Sequence, residues 1–138
     1  EIQHAIDGVI ERAANARAGY VYVISNIGSF GERVVKIGMT RRLDPMDRVR
    51  ELGDASVPFR FDVHAIILSD DAVGLEGALH LRFASCRVNL VNNHREFFYT
   101  SPRDVKEALL ALRGSLLSFN EAPEALEWHQ SVSARPKS

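Results

Sequence analysis

The sequence of 138 residues holds one cysteine, Cys86, and one tryptophan. A lone cysteine excludes an internal disulfide and any cysteine cage for zinc. It fits a reducing, cytoplasmic setting. No apolar run approaches the ~18–20 residues that a membrane helix needs. Charge of one sign is also missing: 17 Lys and Arg stand against 18 Asp and Glu, a net of −1. Taken alone, that balance argues mildly against a nucleic-acid partner. There is no repeat and no low-complexity stretch. The chain opens on Glu1, with no initiator Met and no signal-peptide pattern. The expectation is a fragment, the C-terminal part of a longer protein whose remainder could tether it elsewhere.

What is present is ordinary globular composition, 46% hydrophobic and 25% charged. One domain with one real core is expected at this length. Residues 1–18 carry Ile2, Ile6, Val9, Ile10 and Ala13, an apolar stripe at helical spacing that stops at Gly19. Such a helix either packs on its own domain or is the tail of a longer helix or coiled coil. In the second case it offers a surface for self-association or for another domain.

Tyr20–Ile24 and Val34–Gly38 are β-formers separated by Asn26, Gly28, Ser29 and Gly31, which predicts a hairpin with a long connection. Asp44-Pro45 starts a helix that ends near Gly53. Phe59–Leu68 reads as a third, buried strand. Ser69-Asp70-Asp71 opens a helix with Ala72, Leu75, Leu79 and Phe83 facing inward. Arg87–Asn93 reads as a loop and Glu96–Tyr99 as a short extended piece. Ser101-Pro102 begins a helix, with Val105, Leu109 and Leu112 inward and Gly114 closing it. A short helix over Pro123–His129 and a frayed tail over 131–138 complete the chain. The expected fold is α/β (α+β), a small, mainly antiparallel three-stranded sheet flanked by helices. The expected divisions are a helix over 1–18, a domain over 19–115 and a partly disordered extension over 116–138.

Spacing alone brings a few reactive side chains together. Tyr20 and Tyr22, two apart on a strand, face the same side. Glu76 and His80, four apart on a helix, share a face. Arg48 and Arg50, two apart on a helix, do not. His64, His80 and His94 match no zinc spacing. Cys86 reads as a small buried apolar residue.

Five elements occur in a telling order. Gly19-Tyr20-Val21-Tyr22 is followed by Val35-Lys36-Ile37-Gly38, an arginine on the next helix (Arg48 or Arg50), Glu76 on the helix after the third strand, and Asn89 in Cys86-Arg87-Val88-Asn89. Together, Gly19 to Leu112 resembles the GIY-YIG nuclease superfamily. Lys36 stands where the second motif has its tyrosine. With Leu75-Glu76-Gly77-Ala78-Leu79-His80 and Glu96-Phe97-Phe98, the chain is similar to a divergent Lys-Ile-Gly branch found in bacterial and phage-type proteins.

The resemblance implies a metal-dependent endonuclease acting on DNA, with RNA as another possible substrate and phage defence as a possible setting. It implies that Glu76 holds Mg²⁺ or Mn²⁺, because one carboxylate can hold an ion that keeps several waters. Tyr22, with Tyr20 as second choice, and Lys36 would orient or deprotonate the water. Lys36 could instead stay charged against the phosphate. Arg48 would clamp the scissile phosphate, and Arg41, Arg42 and Arg50 would contact the DNA backbone. His80 would shuttle a proton or position Glu76. Asn89, with Asn92 and Asn93 as rivals, would fix the glutamate or bind phosphate. Glu96 reads first as structural, capping a loop or pairing with Arg95 or Arg48, and second as a further acidic group at the site. Two other readings are a catalytically silent nucleic-acid-binding domain and a protein-interaction module. Residues 19–52 and 76–115 each carry six basic against four acidic residues, so the two segments that hold the site are locally positive. A local surplus is enough to guide a phosphate backbone, although weakly.

Overall fold

A computed structural model describes residues 16–54, 56–92, 94–113, 119–122 and 124–136. The helix expected over 1–18 lies almost wholly outside the described residues, as do Asn93, Gly114 and the last two residues of the tail.

Four strands form one antiparallel sheet in the order β3-β1-β2-β4. They are β1 (Gly19–Ser25), β2 (Val34–Thr40), β3 (Asp62–Ser69) and β4 (Phe97–Tyr99). The sheet therefore has one strand more than expected. The extended piece at Glu96–Tyr99 joins it because Phe98 is fully buried and the segment pairs with β2 at Val34↔Tyr99, Val35↔Phe98 and Lys36↔Phe97. Nothing local in the sequence announces a pairing across some 60 residues.

Period-two alternation sends β1 side chains to two different cores. Val21 and Val23 join Val35, Ile37, Ala65, Ile67 and Phe98 on one face. Helices α3 (Ala72–Arg82) and α4 (Pro102–Arg113) cover that face with Ala72, Leu79, Val105, Ala108 and Leu109. Tyr22 and Ile24 point to the other face and meet Val49 of α2 (Pro45–Asp54), with Met46 and Leu52 packed around them. Each fully buried large apolar side chain contributes ~1.5–3 kcal/mol, so the α3/α4 face carries most of the stability.

The helix starts follow the sequence signals. Asp71 caps α3 by accepting from the Gly74 amide at 3.0 Å, and Asp44 accepts from the Met46 amide at the start of α2. The connection between β1 and β2 contains a four-residue helix, α1 (Ile27–Phe30), because the Asn26 carboxamide accepts from Ser29 N. Strand β3 begins three residues later than expected. The Phe59 carbonyl accepts from the Asn26 side chain at 2.6 Å instead of from a strand. The last helix, α5 (Leu126–Ala134), starts and ends later than expected, so residues 131–134 are helical rather than frayed. Its start is held by Asp62, which accepts from the Ala125 amide, and by Glu127, which accepts from Arg60 N at 2.7 Å. No helix among the described residues is long and apolar enough to cross a membrane.

Candidate active site

Strand β4 covers only Val34–Lys36 of the outer edge of β2. At the next residue the edge is held by one main-chain bond and one side chain. The Ile37 amide donates to the Glu96 carbonyl at 3.1 Å, and the Ile37 carbonyl accepts from His80 Nε2 at 2.7 Å. Groups from both faces of the sheet meet around this point. Glu76 and His80 come from α3 on one side; Tyr22, Lys36 and Arg48 come from the other.

Tyr22 reaches the cluster by lying across its register partner Gly38. A Cβ on residue 38 would sit 2.4 Å from the Tyr22 hydroxyl, so only glycine lets the ring pass. The Arg48 guanidinium, from the middle of α2, hydrogen-bonds that hydroxyl. Burial, followed by the charge of Glu96, still pushes the Tyr22 pKa up to about 12 despite Arg48. Tyr22 therefore stays protonated near neutral pH and acts as a donor.

Lys36 is buried, with 8% of its surface exposed. Its Nζ lies 3.4 Å from Glu96 Oε1 and 5.0 Å from the Phe97 ring centroid. Burial lowers the lysine pKa, and Glu96 opposes the shift. The two candidate bases are thus driven in opposite directions, and Lys36 is the one moved toward giving up its proton.

Glu76 is half-buried, and its Oε2 is sealed from solvent with no hydrogen-bond partner. Burial comes first among the causes, then the charge of Glu96 and a hydrogen bond to it, and together they push the Glu76 pKa up to about 7. Two carboxylates in one cleft disfavour being charged together. His80 Nε2 lies 4.0 Å from Glu96 Oε2, and its ring packs against Phe98 at 5.0 Å between centroids. A carbonyl only accepts, so the bond to Ile37 fixes the proton on Nε2. Burial lowers the His80 pKa, and the ring is held neutral.

Ligand atoms of Glu76, His80 and Glu96 lie within 4.8 Å of one another. The residues fit a divalent cation through their oxygens. An orphaned buried carboxylate oxygen beside a second carboxylate is the kind of hard donor set that Mg²⁺ or Mn²⁺ takes. With Nε2–H serving Ile37, His80 has only its Nδ1 lone pair to add to that set.

The other residues singled out from sequence fall elsewhere. Tyr20 shares the face of Tyr22, but its register partner is Thr40, beyond the level of Gly38. The Asn89 carboxamide oxygen accepts from the amides of Val91 and Asn92 at 3.0 and 2.9 Å, the work of a loop residue. Its rival Asn92 accepts from the His94 amide in the same way. Arg50 is tied to Asp44 and Asp47 at 3.3 and 3.2 Å. Arg42 pairs with Glu51, which also lies 3.5 Å from Arg48, so Arg42 sits beside the cleft, and Arg41 is exposed just past β2. Cys86 is only partly buried.

Glu96 is the residue undervalued from sequence. Neither Arg95 nor Arg48 is its salt-bridge partner; Lys36 is. The signal was a buried cation that needs an anion, but pairing Lys36 with residue 96 requires the β2–β4 register.

The T5orf172 domain family matches residues 19–113. That is a phage-associated domain related to the GIY-YIG nuclease-like fold, and the match is to this family and not to a GIY-YIG family itself. No curated protein and no solved structure matches the chain.

Proposed function

From the premise that the chain belongs to the T5orf172 domain family, we propose that it is a metal-dependent nuclease domain that hydrolyses DNA phosphodiester bonds. The observation that carries this reading is Glu76 Oε2, buried and without a partner, in a cleft shared with Glu96, Lys36, Tyr22 and Arg48. An orphaned buried carboxyl oxygen is costly, and a cation bound there would satisfy it.

The division of labour follows from the environments. Glu76 would hold Mg²⁺ or Mn²⁺, which when bound neutralises phosphate charge and makes water a better nucleophile. Lys36 Nζ, as the neutral amine, accepts a proton as the attacking water adds to phosphorus and the ester P–O bond to the leaving sugar oxygen breaks, that oxygen taking its proton from solvent. Tyr22, protonated, donates a hydrogen bond that orients the water or the phosphate. Arg48, partly exposed and hydrogen-bonded to the Tyr22 hydroxyl, would pair with the non-bridging phosphate oxygens. His80 acts at one remove by holding Ile37, and with it the strand that carries Lys36. Arg41 and Arg42 would meet the flanking backbone.

The test is cleavage of supercoiled plasmid with Mg²⁺ or Mn²⁺ by the native chain and by Glu76→Gln. Nicking by the native chain that Glu76→Gln loses is expected. Equal cleavage by both would remove Glu76 from the mechanism. DNA binding without cleavage under either metal would favour a silent nucleic-acid-binding domain.

A further inference from the structure

We propose that Glu96 is the second carboxylate of the cation site, and that it takes that role by exchanging Lys36 for the cation. This rests on the nuclease reading above and deepens it.

The geometry has four parts. Glu96 is fixed at the root, because its carbonyl accepts from Ile37 N at 3.1 Å and so sets its side chain at the end of β4. One of its oxygens meets Lys36 Nζ at 3.4 Å, well beyond the ~2.7–2.9 Å of a tight charge-assisted bond. The other lies 4.0 Å from His80 Nε2, whose proton is already given to Ile37. Neither of these contacts therefore holds Glu96 strongly, and its remaining contact, with the Glu76 carboxyl, exists only when the two share a proton. Across the cleft stands Glu76 Oε2, sealed and unpartnered, with the ligand atoms within 4.8 Å. Without a cation, Lys36 is the only positive group in direct contact with this carboxylate pair among the described residues. A dication between the two carboxylates supplies more charge than the ammonium and meets the oxygen that Lys36 does not.

Once displaced, Lys36 is not stranded. Its Nζ already lies 5.0 Å from the Phe97 ring centroid, and an aromatic face attracts a cation. Loading of the site would thus free the lysine from Glu96 for its part in the chemistry, so that cation binding comes before proton transfer.

The experiment is a titration of the full chain with Mn²⁺, without DNA, reading free Mn²⁺ by electron paramagnetic resonance. Circular dichroism checks that each variant is folded. Glu96→Gln is expected to weaken binding about tenfold or more, the scale on which supporting groups of metal sites act. Glu76→Gln should remove it, and Lys36→Met, which deletes the competing ammonium, should tighten it. Unchanged affinity in Glu96→Gln with loss in Glu76→Gln overturns the proposal and leaves the nuclease reading standing. Absence of Mn²⁺ binding by the native chain overturns both. Should Glu96→Gln not fold, Lys36→Met decides: unchanged or weaker binding overturns the exchange.

Discussion

His64 and His80 lie against the same sheet, and their surroundings could hardly differ more. His64, on β3, is buried with both ring nitrogens in use. Nδ1 donates to the Asn120 carbonyl at 2.5 Å, and Nε2 accepts from the Ser25 hydroxyl at 2.7 Å. The ring stacks on Phe119, and Asn120 N donates back to the His64 carbonyl. Every polar group there has a partner, and the cluster straps the C-terminal segment to β3. Around His80 the accounting is left open: two carboxylates share a cleft, one oxygen has no partner, and a buried lysine balances only part of the charge. Burial of polar groups is common to both. What separates a strap from a reaction centre is the incomplete satisfaction of like charges.

The largest expected effect separates the two clusters outright. Glu76→Gln should cost cleavage about 10³-fold, the scale on which key transition-state electrostatic contacts act, while leaving the thermal midpoint unchanged or higher. His64→Phe should do the reverse. It orphans the Ser25 hydroxyl and the Asn120 carbonyl, for about 2–3 kcal/mol of stability, with cleavage per folded molecule unchanged. Urea unfolding and plasmid nicking on the same two variants check both halves. Loss of activity in His64→Phe would break the division.

A smaller effect is expected at Gly38. Gly38→Ala places a methyl carbon against the Tyr22 ring, and overpacking of this kind costs ~1–3 kcal/mol. Because the ring must move, cleavage should fall along with stability. An alanine variant of full activity would mean that Tyr22 is not part of the chemistry.

The smallest effect is a difference of slope with pH. Glu76 titrates at about 7 in the fold against 4.5 normally. Between those values the folded state holds the extra proton, so this group adds stability as pH falls from about 7 toward 4.5. His64, lowered from 6.5 by burial, has the opposite sign. The unfolded chain takes the proton first, and stability is lost as pH drops below 6.5. His80 shares the sign of His64, so each slope is read as native minus variant. In the metal-free protein, Glu76→Gln should remove the acid-side gain and His64→Phe the acid-side loss.

Much of this was legible in the residues. Alternation along Tyr20–Ile24 separates Tyr22 from Val21 and Val23, and the Asp71 and Asp44-Pro45 signals place the helices that carry Glu76 and Arg48. The missing fourth strand and the rank of Glu96 have one cause. Both depend on a register between segments some 60 residues apart, which period and propensity do not encode. Asn89 shows the opposite case, a side chain that the motif order brings toward the site and that the local geometry turns to its own loop. Its position in the motif order suggested chemistry, whereas an asparagine followed by two free amides in a loop most readily folds back on its own backbone. The late start of α5 had no local signal either, since Asp62 and Arg60 supply its first hydrogen bonds from another part of the chain.

The Ile37 peptide is held at its amide by Glu96 and at its carbonyl by His80. The protein thus carries its own reporter of the cleft. The deuterium uptake of that single amide reads how firmly the end of β4 is seated. Ordering of Glu96 by any ligand would slow the uptake without label, chromophore or turnover, whereas loosening of α3 would let Ile37 exchange before the neighbouring core amides.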